Sequence, residues 1–148
     1  MNQYQFVGVD IAKDKFDVAM AQEGKYINKV FSNTRAGIKS FHQWLAKITI
    51  TPWVCMEATG HYGYKLADYL YEQQVNISVI NPLKIKHYAK AVFMRNKNDI
   101  LDARVIAQFG EAMRPRLYTP KSAEQKELNS LVNLSNTLKM QLVQLTNQ

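Results

Sequence analysis

The chain has 148 residues, 47% of them hydrophobic and 21% charged, with a single cysteine, Cys55. That is enough for one domain with its own core, and it excludes wholesale disorder and a disulfide-stapled scaffold. No apolar run approaches the roughly 20 residues of a membrane span, and the opening MNQYQFVGVD lacks the features of a signal peptide, so a cytoplasmic location is expected. The net charge is +7, and its surplus is concentrated between residues 84 and 116. There Lys84, Lys86, Lys90, Arg95, Lys97, Arg104, Arg114 and Arg116 face only Asp99, Asp102 and Glu111. Such a stretch suits a polyanion such as nucleic acid; a solvated basic face is the plain alternative.

In chain order, Gln5 to Ile11 reads as an apolar strand, a turn follows at Ala12-Lys13-Asp14, and Lys15 to Ala21 alternates with Phe16, Val18 and Met20 on one face. Glu23-Gly24 marks a second turn and Tyr26 to Ser32 a third strand. Asn33-Thr34 can cap a helix from Arg35 to Ile48, with Ile38, Phe41, Trp44, Leu45 and Ile48 at helical spacing. Pro52 precedes a short buried strand, Trp53 to Met56. A helix over 62–74, a strand over 76–80, a helix opened by Asn81-Pro82 and a helix from Asp99 to Met113 complete the pattern. Three adjacent strands followed by alternating helices and strands predict an α/β fold, a mixed sheet flanked by helices in the ribonuclease H-like order. The domain is expected over 1–115, with a linker over 116–121 read from the segment RPRLYTP, residues 114–120. From Ser122, paired with Gln125 as a capping box, a coiled-coil-like helix is expected to run to residue 148. Leu128, Leu131, Ser135, Leu138, Leu142 and Leu145 fall on its a and d positions, which predicts a homodimer.

Four acids stand apart from the rest. Asp10 ends an apolar strand on the same face as Phe6 and Gly8, and Gly8 would let a backbone or ligand come close. Glu57 directly follows the buried strand Trp53-Val54-Cys55-Met56. Asp99 and Asp102, three apart at a helix start, would point one way. Clustered carboxylates repel one another and need a counter-charge, which Mg2+ or Mn2+ supplies through oxygen ligation. Two such ions suit phosphodiester chemistry. Taken singly, Asp99 could merely favour a helix N-terminus and Glu57 be a loop acid. His61 and His87 have no partner at zinc-ligand spacing, and Cys55 reads as packing. Tyr62, Tyr64, Tyr69 and Tyr71 could stack on bases, although Tyr69 falls on the core face of its helix.

The segments VGVDIAKDKFDV (7–18), MEATGHYGYKLADYL (56–70) and VINPLKIKHYAKAVFMRNKNDILDARVIAQFGE (79–111) resemble the RuvC-like N-terminal domain of DEDD transposases. This insertion-sequence family includes pilin-gene invertases and bridge-RNA-guided recombinases. The resemblance puts the family's four catalytic and metal-binding acids on Asp10, Glu57, Asp99 and Asp102, with Asn98 where a threonine is frequent. It implies Mg2+- or Mn2+-dependent cleavage and rejoining of DNA, with a guide RNA as a further partner in some members. Lys13, Lys84, Lys86, Lys90, Arg95, Lys97 and Arg104 are the cations expected to meet nucleic acid. In the family a C-terminal domain contributes a serine nucleophile. The chain ends in mid-helix at Gln148, so it is expected to lack that domain and not to recombine DNA alone. Competing readings are a Holliday-junction-type nuclease, the nucleotide-binding lobe of a sugar kinase or actin-like ATPase (which Ile11-Ala12-Lys13 fits poorly), and a non-catalytic nucleic-acid-binding dimerisation module.

Overall fold

A computed structural model describes residues 3–58, 60–93, 102–120 and 123–146, with the side chains of the last helix described from Leu131 to Leu145. β1 (Tyr4–Ile11), β2 (Lys15–Gln22) and β3 (Lys25–Ser32) form an antiparallel meander, because two tight turns join three segments whose apolar residues alternate. β4 (Thr51–Glu57) then pairs parallel with β1, and β5 (Asn76–Ile80) parallel with β4, giving the order β3-β2-β1-β4-β5. This is the mixed sheet and ribonuclease H-like strand order that the element pattern predicts. β4 starts earlier than expected, and Pro52 lies inside it. Pro52 pairs with Gln5 before β5 begins, at a point where no ladder on the other side needs its missing N–H.

Helices cover both faces. On one side α1 (Arg35–Ala46) and α2 (Tyr64–Glu72) pack Ile38, Phe41, Leu45, Leu66 and Leu70 onto Val7, Val9, Phe16, Val18 and Val54. α1 is capped by Thr34, whose Oγ1 accepts from Gly37 N–H at 3.1 Å. It ends two residues before Ile48, and α2 runs over 64–72 rather than 62–74. The other side holds α3 (Pro82–Phe93) and α4 (Ala103–Met113), with Ile85, Ile106 and Phe109 against Phe6, Cys55 and Ile80. The buried Cys55 thiol is pushed up to about 12 by desolvation, consistent with a packing role.

Residues after α4 are irregular, as a linker would be, but they dock. Tyr118 N–H donates to Ile77 O at 2.7 Å on the free edge of β5, its hydroxyl meets Asp68 Oδ1 at 2.6 Å, and Ser78 Oγ donates to Pro115 O at 3.1 Å. α5 (Ala123–Thr146) follows, and its side chains from Leu131 to Leu145 are exposed. Among the described residues no helix is long and apolar enough to cross a membrane.

Candidate active site

Two parallel strands deliver the first two acids. The pairs Phe6↔Trp53, Gly8↔Cys55 and Val9↔Met56 set Asp10 and Glu57 level at the C-terminal ends of β1 and β4. By alternation both side chains point to the α4 face. Neighbouring strands lie only about 4.8 Å apart, so these carboxylates are close neighbours.

The third acid arrives by helix packing. A Cβ on Gly8 would stand 1.9 Å from Ala103 O and 2.6 Å from Ala107 N, so the α4 backbone rests directly on the glycine, two residues before Asp10. Asp102 immediately precedes that contact and faces Asp10, whose carboxyl feels its charge. The expectation of a helix starting at Asp99 is corrected here. α4 starts at Ala103, and Asp102 is its extended N-cap, φ −111° and ψ −178°, accepting from Arg104 N–H at 3.0 Å and Val105 N–H at 3.3 Å. Its short oxygen-bearing side chain satisfies the helix's first free donors, so it ends the preceding segment instead of lying within a turn. Asp99, like Arg95, Lys97, Asn98 and Thr59, lies outside the described residues.

Electrostatics reflect this crowding. Burial raises the Asp10 carboxyl above the usual carboxylate range, repulsion from Asp17 and Asp102 raises it further, and Lys15 pulls it back. Glu57 is raised by burial and then by Asp10. Among the described residues neither carboxylate has a hydrogen bond or ion pair, whereas Asp102 Oδ2 is held by Arg104 Nη2 at 2.9 Å and Nε at 3.1 Å. No group of three or more His, Cys, Asp or Glu among the described residues is gathered tightly enough to form a metal cage. The donor chemistry nevertheless fits a hard divalent cation: neighbouring, desolvated, mutually repelling carboxylates at strand ends.

Of the expected cations, Lys13 is exposed in the β1–β2 turn, and Lys84, Lys86 and Lys90 are exposed along α3. Arg104 is exposed as well, yet bound to Asp102. Arg114 is exposed and lays its guanidinium over the Tyr4 and Phe6 rings at 5.7 and 5.9 Å. Tyr62, Tyr64 and Tyr71 are exposed, while Tyr69 packs on the core. Gly60 takes φ 56°, which a turn requires, so it needs no ligand to explain it.

Two residues of this site escaped the sequence reading. Asp17 stands directly opposite Asp10 in the β1–β2 ladder. The alternation that buries Phe16, Val18 and Met20 on one face leaves it on the other, and a three-residue turn fixes the pairing, so the signal was present. Asn33 gave no such signal. Its Nδ2 donates to Ala12 O at 3.1 Å, Lys13 O at 3.3 Å and Tyr62 O at 3.0 Å, while its Oδ1 is buried with no partner among the described residues.

A mixed sheet in this strand order, with acids at the adjacent ends of β1 and β4 and a third at the start of α4, is a ribonuclease H-like arrangement. The family model for DEDD transposases of the IS110 type, described as a transposase, matches residues 7–148, and the chain belongs to that family. It is 33% identical over 141 residues to the pilin gene-inverting protein of Moraxella bovis, covering 93% of this chain and 44% of that protein. The Moraxella lacunata protein of the same description gives the same figures. The transposase for insertion sequence element IS1111A of Coxiella burnetii is 28% identical over 138 residues, covering 93% of this chain and 35% of that one. The chain thus spans less than half the length of these relatives. Among solved structures it is similar to Thermus thermophilus RuvC in complex with a Holliday junction substrate, at 11% identity and a TM-score of 0.48, covering 78% of this chain and 99% of that one.

Proposed function

We propose that this chain is the N-terminal catalytic part of a DNA transposase or site-specific recombinase, in which Asp10, Glu57, Asp99 and Asp102 hold two Mg2+ or Mn2+ ions for strand cleavage and transfer. The family uses divalent metal ions in general; their identity and number are part of the proposal. One observation carries it. Asp10 and Glu57 stand at neighbouring strand ends, and Asp102, at the start of a helix packed on Gly8, is near enough for its charge to act on Asp10.

Bound there, divalent ions supply Lewis-acid polarisation of phosphodiester oxygens. The chain's own residues do the rest. β1 and β4 hold Asp10 and Glu57 side by side, with no hydrogen bond or ion pair to their oxygens among the described residues, which suits cation capture. Arg104 pairs with Asp102, and as an exposed side chain it would be available to a DNA phosphate if Asp102 served as a metal ligand. The exposed Lys13, Lys84, Lys86 and Lys90 are the cations proposed to meet nucleic-acid phosphates; Arg95 and Lys97, outside the described residues, belong to the same proposal by sequence alone. DNA is the proposed substrate; a guide RNA would compete for the same cations.

α5 is proposed to pair with the same helix of a second copy. Leu131, Leu138, Leu142 and Leu145 are each more than half exposed, and burying such side chains is worth about 1.5–3 kcal/mol apiece. Ser135 in the seam keeps the pair modest in strength.

Calorimetric titration of the 148-residue chain with Mn2+ tests the site. Binding in the parent that is lost in Asp10→Asn and Glu57→Gln, with unchanged circular dichroism, is the expected result. Equal binding by all three chains refutes it.

A further inference from the structure

We propose that Asn33 is the positioning residue of this site, a side-chain clamp that sets the spacing between the loops following Asp10 and Glu57. The inference rests on the reading of those two acids as metal ligands. β1 ends at Ile11, one residue beyond Asp10, and the turn that follows contains Ala12 and Lys13. β4 ends at Glu57 itself, and the loop that follows contains Tyr62. The two loops are separated by about 50 residues of chain, and the β1–β4 ladder stops at Val9↔Met56, just short of the acids. The sheet sets the two strand ends side by side, but no ladder continues between the loops that leave them.

Asn33 supplies that connection. Its one amide group donates to Ala12 O and Lys13 O on the first loop and to Tyr62 O on the second, all within 3.3 Å. Its backbone N–H donates to Asp14 O at 2.8 Å, anchoring the residue to the first loop independently of the side chain. Three carbonyls around the nitrogen determine the amide's orientation, because the reverse placement would set oxygen against oxygen. The arrangement joins carbonyls of two separate loops, which a cap or turn of the residue's own segment would not do. A carboxylate pair that repels itself in the metal-free protein drifts apart unless its loops are tied. The tie keeps the acids at a separation one cation can bridge, so it preorganises the site at no cost when metal arrives.

The test is Mn2+ affinity in the intact chain, compared with fold stability. Asn33→Ala is expected to keep the circular dichroism of the parent and to weaken Mn2+ binding by about tenfold or more, the range for residues that orient metal ligands. Tyr118→Phe serves as the control, since it deletes the bond to Asp68 away from both loops, and it is expected to lower thermal stability while leaving Mn2+ affinity unchanged. Asn33→Ala binding Mn2+ as the parent does overturns the proposal, as does an equal loss in Tyr118→Phe. Should Asn33→Ala not fold, Asn33→Ser keeps one donor at the turn and is expected to show a smaller loss of affinity; parental affinity in it overturns the proposal. Failure of the underlying site reading looks different: the parent would then bind Mn2+ no better than Asp10→Asn, and every variant would coincide.

Discussion

Replacing Gly8 with alanine tests whether close helix–sheet contact places Asp102. The added methyl would lie 1.9 Å from Ala103 O and 2.6 Å from Ala107 N, both backbone atoms of α4 that cannot rotate aside. The helix would have to retreat by about 1.5 Å to restore ordinary contact, opening the packing of Ile106 and Phe109 on Phe6 and Cys55. Overpacking of this kind costs about 1–3 kcal/mol, and a backbone clash belongs at the upper end. For a chain of this size each kcal/mol lowers Tm by about 2–4 °C, so a fall of roughly 6–12 °C is expected. Asp102, at the end of the displaced helix, would also leave its position opposite Asp10. Thermal denaturation followed by circular dichroism, with Mn2+ titration of the folded variant, reads both effects. A Tm within a degree of the parent refutes the packing argument. A lowered Tm with parental Mn2+ affinity refutes the claim that this contact positions the acid.

Asp10 and Glu57 titrate above the ordinary carboxylate range, first through burial and then through neighbouring negative charge. The folded chain therefore binds their protons more tightly than the unfolded chain. Their stabilising contribution is complete below the unfolded values near 4 and is lost as pH rises through the raised folded ones. Metal-free Asp10→Asn should accordingly be more stable than the parent at pH 7, by about 0.2–1 kcal/mol for relieving the directly opposed Asp17, and should show a flatter stability–pH curve. Urea titrations at pH 4 and 7 measure this, and a destabilised variant at pH 7 would contradict it. Asparagine caps helices as well as aspartate does, so Asp102→Asn should fall within about 0.5 kcal/mol of the parent in stability yet lose Mn2+ affinity, whereas Asp102→Ala should also lose about 1 kcal/mol. Removing residues 122–148 should convert a concentration-dependent dimer into a monomer in light scattering; monomers of both lengths at all concentrations would exclude self-association through α5.

The strands, their faces and the two strand-end acids were legible in the sequence because period-two alternation and turn residues are local properties. Phe16, Val18 and Met20 on one face, Asp10 after Gly8 and Glu57 after a buried run required no knowledge of neighbours. The resemblance to the family's motifs added the expectation that Asp99 and Asp102 share the site. Tertiary structure alone decided how these pieces meet. Register set Asp17 opposite Asp10, since pairing between strands is a relation between two segments and neither one encodes it singly. Helix packing on Gly8 brought Asp102 to the strand ends and made it the cap of a helix that starts four residues later than its charge pattern indicated. Asn33 lies 29 residues from Tyr62, so its amide could be recognised as a link only once both loops were in place. The leucines of α5 are the converse case: their spacing was plain in the sequence, and the fold leaves them exposed because the domain's sheet faces are already covered by the four preceding helices.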